Sequence, residues 1–356
     1  MRYGVIMAGG AGVRLWPLSR RNRPKQLLRL FDGKSLLRQS FERIAALLDP
    51  KQIYIITNAA HLAMIADDLP ELPAENLIGE PVGRDTAAAV ALPAAVLQRK
   101  DPEAVIGVFT ADHIITPIEK FTGAVDRAFA MAEERAHALV TMGITPTGPD
   151  TNFGYVQRGE RVSDGVFRVE KFAEKPDVDT AKNYVSSGQY YWNSGMFAWR
   201  ASAILSELEK NLPQCYGPIC EIADAWDTGK RDQKLTSIYP ELTKISIDYA
   251  VMEHAKHVLV VEMACDWIDV GSWPAMASVI QADADGNVST CPRVTHRDSR
   301  TSIVVSEDDH LIATMGVDDL VVVRSPDATL VCRRDRTDDL KALVEEVRQK
   351  YGEQYL

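Results

Sequence analysis

Four short, continuously apolar runs, separated by helix-patterned segments, govern what the first 145 residues can become. YGVIMA precedes SLLRQSFERIAALL, IYIIT precedes a helical stretch near His61, VIGVFTAD precedes FTGAVDRAFAMAEERA, and LVTMGI follows. A run with no polar alternation offers no face to water, so it suits a strand covered on both sides. Strands alternating with helices build a parallel sheet. From Phe121, the residues Phe121, Ala124, Val125, Ala128, Phe129 and Ala132 recur at three and four, giving one stripe to lay on that sheet. The expected class is α/β, with a doubly wound, mostly parallel sheet.

Beyond this region the texture changes twice. Over about 146–270, strand-like FGYVQRG, VFRVEKFAEKP and SGMFAWR mix with helices near Val178 and Ala201, which reads as a lobe over the sheet. After ADADGN, the short runs SIVVS, HLIATMG, LVVVRS and TLVCRR suggest a small β-rich domain over 288–356 that ends in a helix, with Thr337 as its expected N-cap. The similar strands of this tail are too few to define a solenoid. A chain of 356 residues accommodates this division, a large domain over 1–282 plus the appendage.

A net charge of -10 argues against coating a nucleic acid, so any anion must be held locally. The five cysteines form no CxxC pair and are odd in number, which suggests neither a zinc site nor a disulfide framework and fits a reducing cytoplasm. No apolar stretch reaches the roughly 18 residues of a membrane span. The tail's exposed strands need covering, by the rest of the chain or by a second copy, and a homodimer is expected.

Open α/β sheets bind ligands beyond the carboxyl ends of their strands, which here are Gly9 to Arg14, Asn58 and Asp112. The first of these is MAGGAGVRLWPLSRRNRPKQLL, with glycines at 9, 10 and 12 and basic residues at Arg14, Arg20, Arg21, Arg23 and Lys25. Backbone N–H groups without Cβ bulk converge on phosphate oxygens. A Walker loop requires GxxxxGK followed by Ser or Thr, which is absent. A dinucleotide fingerprint would need glycine where Leu15 stands, and the nearby acid, Asp32, sits in a DG turn rather than at a strand end. What remains is a loop for a triphosphate, with Arg14 and Lys25 aimed at the reacting phosphorus.

AGGAGVRLWPLSR followed by PKQ resembles the signature of the sugar-nucleotide pyrophosphorylases, and RLWPLSR is similar to their mannose-1-phosphate guanylyltransferase branch. GEPVGRDTAAA, FTADHII, NFGYVQRG, VEKFAEKP, WNSGMFAWR, ISIDYAVME and DWIDVGSW resemble later blocks of that family in order and spacing, so the likeness covers essentially the whole chain. It implies a Rossmann-like nucleotidyltransferase sheet, GTP and mannose 1-phosphate as substrates, and Mg²⁺ held by Asp112 and Asp269. It further implies nucleotide contacts at Ala8, Gly9, Gly10, Gly12, Glu80, Arg84, Asp85, Thr86 and Asp112. Gly154, Glu174, Lys175 and Asn193 are implied for the sugar phosphate.

The implied chemistry agrees with what the chain lacks. A sugar phosphate is already ionised near neutrality, its second pKa being about 6, so attack on the α-phosphorus needs cations and orientation rather than a base. No histidine forms a recognisable pair with a Ser or Cys nucleophile. Guanine offers adjacent N–H donors that Glu80 or Asp85 can accept. Two competing readings stand beside this one: a pyrophosphorylase for another sugar or nucleotide, and a silent sugar-nucleotide-binding subunit. Retention of Arg14, Lys25, Asp112 and Asp269 together speaks against the second.

Overall fold

The computed structural model describes every residue except 11 and 32, so the turn expected at Asp32 lies outside the described residues. The chain forms two compact units, each built from separated segments. One comprises Met1–Gly9, Ser40–Ala111 and Ile115–Trp267, and the other Gly10–Gln39, Asp112–Ile114 and Ile268–Leu356.

The larger unit holds a nine-stranded sheet. From edge to edge its strands are Leu77–Glu80, Ile53–Asn58, Arg2–Ala8, Val105–Thr110, Tyr190–Arg200, Leu139–Ile144, Val258–Met263, Val166–Ala173 and Tyr155–Ser163. The first four are mutually parallel, as their apolar runs require. Tyr190–Arg200 runs antiparallel to both neighbours, and Val258–Met263 returns parallel to Leu139–Ile144. Helix Asp85–Lys100 is buried continuously from Ala87 to Leu97, and its alanines let the helices Ala201–Asn211 and Pro213–Asp224 approach closely. Helix Ile118–Glu134 buries Phe121, Ala124, Val125, Ala128, Phe129 and Ala132, the stripe read from the sequence. Each buried phenylalanine there contributes about 1.5–3 kcal/mol. Among the described residues no helix is long and apolar enough to cross a membrane.

The smaller unit joins the glycine-rich segment to the tail in one core. Leu15, Trp16, Leu18 and Leu28 pack in a cluster with Trp273, Val305, Val321, Val323 and Leu340. The tail is a coil of stacked parallel rungs, a correction to the expectation that its strands define no solenoid. Val294 pairs with Ile312, Arg300 with Asp318 and Ile303 with Val321, each eighteen positions on. The corners repeat too: Asp298 and Gly316 have φ of 50° and 65°, and Thr301 and Asp319 have φ of 50° and 55°. The final strand, Thr329–Arg333, reverses and pairs antiparallel with Leu320–Arg324. The last helix, Leu340–Tyr351, begins three residues beyond Thr337. Thr337 is no N-cap: its hydroxyl donates to Arg334 O inside a preceding 3-10 turn, Arg334–Asp339.

Candidate active site

In the smaller unit, Gly10 and Gly12 adopt φ of 103° and 59°, the left-handed region that favours glycine. A Cβ on Gly12 would lie 2.4 Å from Ser19 Oγ and 2.8 Å from Lys25 Cβ, so the absent side chain makes room for the lysine. Arg14 sits on the short 3-10 turn Val13–Leu15, and Lys25 opens a second turn, Lys25–Leu27, directly after Pro24. The Lys25 ammonium pairs with Asp112 Oδ2.

Asp112 and Asp269 come from distant segments and are set side by side by a backbone bond from Val270 N–H to Asp112 O, 3.1 Å long. His113 is buried, with Nε2 3.9 Å from Asp112 Oδ1. Ligand atoms of Asp112, His113 and Asp269 all lie within 4.8 Å of one another. Asp269 Oδ1 is buried without a hydrogen-bond partner. Burial and the charge of Asp112 push the Asp269 carboxyl above its ordinary range. Burial also acts to raise Asp112, but Lys25 and His113 outweigh it and hold that carboxyl low. Burial opposes the charge on Lys25, yet Asp112 and Asp269 prevail and raise it. Two adjacent carboxylates with one oxygen unpartnered make a donor set suited to a hard divalent metal ion.

In the larger unit, Ala8 ends the strand Arg2–Ala8, and its carbonyl accepts from Thr57 Oγ1 at 2.9 Å. Glu80 is buried at the end of Leu77–Glu80, 3.9 Å from where a Gly9 Cβ would stand. The Tyr239 hydroxyl donates to Glu80 at 2.5 Å, and burial raises the Glu80 carboxyl despite that bond. Asp85 is exposed at φ 67°, its Oδ1 accepting from Thr86 N–H at 2.8 Å; Thr86 Oγ1 accepts from Ile247 N–H. Arg84 Nε is buried with no hydrogen-bond partner. Of the two acids offered for base reading, Glu80 is thus enclosed and Asp85 lies in solvent at a helix start.

The four sugar-phosphate candidates meet within the same unit. Asn193 N–H donates to Gly154 O at 2.8 Å, and a Cβ on Gly154 would stand 2.4 Å from Glu174 Oε2. Lys175 Nζ lies 3.4 Å from Glu174 Oε1, with its backbone at φ 45°, a strained conformation for a lysine. Asn193 Oδ1 accepts from Thr141 Oγ1 and Gly195 N–H, which leaves Nδ2 to donate to Asp248 Oδ1 at 2.9 Å. Burial and the charge of Glu174 push Asp248 up to about 7. The Tyr190–Trp192 string supplies packing: Tyr191 and Trp192 are buried and Tyr190 stacks on Tyr184 with ring centres 3.9 Å apart.

Residues 3–286 match the model of a family described as nucleotidyl transferase. The chain belongs to the nucleotidyl transferase family. Residues 293–347 of this nucleotidyl transferase match a mannose-phosphate isomerase/GMP-like β-helix domain, in keeping with the eighteen-residue coil. An Escherichia coli protein named mannose-1-phosphate guanylyltransferase is 41% identical, the alignment covering 100% of this chain and 76% of the relative. A Salmonella typhimurium protein with the name mannose-1-phosphate guanylyltransferase RfbM is 40% identical over 99% and 73%. A crystal structure from Thermus thermophilus, described as a mannose-1-phosphate geranyltransferase, superposes with a TM-score of 0.87 at 35% identity, covering 98% and 99% of the two chains.

Three residues that the structure of this nucleotidyl transferase brings against candidate site residues had not been singled out from the sequence. His113 follows Asp112 directly, and its signal was adjacency to a metal candidate. Asp248 lies within SIDYAVME and is brought onto Asn193 at the start of a π-helical turn, Asp248–Met252. Tyr239 had no local signal, since only the fold carries it to Glu80.

Proposed function

We propose that the chain transfers GMP from GTP to α-D-mannose 1-phosphate, giving GDP-mannose and pyrophosphate by direct in-line displacement. The observation that carries this reading is the convergence of Lys25, Asp112, His113 and Asp269 behind a glycine loop bearing Arg14. The names of the relatives support the choice of guanine nucleotide and mannose. Matches over 3–286 and 293–347 support 1–282 as the catalytic region, with a sugar-binding lobe at about 146–270, and 288–356 as the appendage.

In this reading Asp112 and Asp269 hold Mg²⁺, which when bound offsets charge on the triphosphate. The backbone of Gly9, Gly10 and Gly12 cradles the phosphates, and Arg14 and Lys25 stabilise charge as it gathers on the leaving pyrophosphate. Lys175 holds the sugar's phosphate, while Glu174 and Asn193 orient its hydroxyls beside Gly154. A phosphate oxygen of mannose 1-phosphate then forms a bond to the α-phosphorus as the bond to the bridging β-phosphate oxygen breaks. Glu80, already enclosed with a donor on one oxygen, is the better placed carboxyl group for base recognition, and Arg84, Asp85 and Thr86 shape the same segment.

A cytoplasmic location and a homodimer belong to the same proposal. Five unbridged cysteines support the first, and the exposed Leu311, Met315 and Val331 of the tail support the second. Pyrophosphate release measured over a grid of nucleoside triphosphates and sugar 1-phosphates, with and without Mg²⁺, tests the reaction. Turnover is expected with GTP, mannose 1-phosphate and Mg²⁺ together; no turnover in any GTP combination overturns guanylyl transfer, and preference for another sugar overturns only mannose.

A further inference from the structure

The segment between the glycine loop and Lys25 is fastened to the tail at several points inside the smaller unit. Arg20, whose side chain is only 11% exposed, makes a two-pronged pair with Asp327, at 2.5 and 2.8 Å, and reaches Ser325 Oγ at 2.9 Å. Its Nε donates to Pro17 O at 2.9 Å. Arg23 forms a second two-pronged pair with Glu307. Arg20 and Arg23 also exchange backbone bonds of 2.8 and 3.0 Å, closing residues 20–23 into one turn. Upstream, Trp16 Nε1 donates to Tyr355 O at 2.8 Å. Pro24, with φ −66°, then delivers the chain straight into the turn that carries Lys25.

Isolated exposed ion pairs contribute little to stability. Forked arginine–carboxylate pairs are different in kind, because two parallel bonds fix direction as well as distance. Two such forks three residues apart, on a turn with its own reciprocal backbone bonds, define the direction in which the chain leaves that turn. Lys25 begins two residues after the second fork.

We propose that the tail positions the catalytic loop: Arg20 through Asp327, and Arg23 through Glu307, set the seat of Lys25 and are positioning residues for guanylyl transfer. The inference rests on the proposed role of Lys25. A lysine meant to meet transition-state charge must be placed to within a fraction of an ångström, and misplacement by about 1 Å costs on the order of 100-fold in rate. The β-rich tail thereby acts on chemistry through a backbone lever rather than by touching substrate.

The test uses the full chain with GTP, mannose 1-phosphate and Mg²⁺, and measures kcat and both KM values. Asp327→Asn and Glu307→Gln remove one carboxylate charge each with little change in shape, and thermal melting reports whether the fold survives. We expect the double variant to lose about 10- to 100-fold in kcat. Both KM values should stay within about twofold, as for an interaction made only in the transition state. Adding Asp327→Asn and Glu307→Gln to Lys25→Ala should cost nothing further. Unchanged kcat in the double variant, or an equal loss on the Lys25→Ala background, overturns the positioning role. A wild-type chain without turnover, or a Lys25→Ala variant of normal rate, overturns the underlying reading of function instead.

Discussion

Val270 N–H donates to the carbonyl of Asp112 at 3.1 Å, a backbone bond that joins the segments bearing the Asp112 and Asp269 carboxylates. Asp112 is charge-matched by Lys25, whereas Asp269 keeps one buried oxygen without a partner. The pair is therefore incomplete electrostatically, and a divalent cation is the simplest completion.

Asp112→Asn and Asp269→Asn should each lower kcat by about 100- to 1000-fold in a pyrophosphate-release assay, the usual scale for losing a group that meets transition-state charge. Melting curves supply a second readout. Mg²⁺ at 100 times its dissociation constant should stabilise the wild-type chain by about 2.7 kcal/mol, and either variant much less. A wild-type melt indifferent to Mg²⁺ would contradict the assignment.

Gly12→Ala places a Cβ 2.8 Å from Lys25 Cβ on backbone at φ 59°. Left-handed strain alone costs about 1–2 kcal/mol. Since relief requires moving Lys25 or the loop, kcat should fall by about 100-fold while the chain stays folded. Chemical denaturation and steady-state kinetics on the same preparation separate the two effects.

Gly154→Ala sets a methyl group against Glu174 Oε2, a flexible end that can swing aside. The fold should tolerate this with little loss. KM for mannose 1-phosphate should rise about tenfold, the loss of one hydrogen bond to a charged group, with KM for GTP unchanged. A uniform rise in both would argue against a sugar role for this corner.

Asp248 sets a pH dependence. Burial first, and the charge of Glu174 second, hold its carboxyl at about 7 in the folded chain, against an ordinary value of 3.8. The folded state thus binds this proton more tightly than the unfolded one. Its stabilising contribution is complete below the ordinary value and is lost as pH rises through about 7. Asp248→Asn removes the term, so the wild type should lose more melting temperature than the variant between about pH 5 and pH 8. Parallel curves for the two proteins would show that Asp248 titrates normally.

Legibility in the sequence followed the range of the interactions. Phe121 through Ala132 form a stripe because helix periodicity is local, and the structure buries those six residues. Continuous apolar runs likewise foretold the parallel ladders around Arg2–Ala8. The tail's coil was missed because an eighteen-residue period needs several turns to stand out, and here Val294–Ile312 and Ile303–Val321 express it barely more than once. The repeating signal was present in the corners, where Asp298 and Gly316 share a left-handed backbone. Thr337 misled because a hydroxyl before a helical pattern also fits a 3-10 lead-in. Asp248 and Tyr239 acquire their partners through tertiary folding, which no window of sequence displays.

The reversed strand Thr329–Arg333 has a consequence for how such a tail can lengthen. A ladder of like-directed rungs is open-ended and can be copied indefinitely, but a rung of opposite sense spoils the register for any successor. Duplication of further coils must therefore enter before Leu320, on the parallel side of the reversed strand. The reversed strand serves as a terminus built into the winding itself.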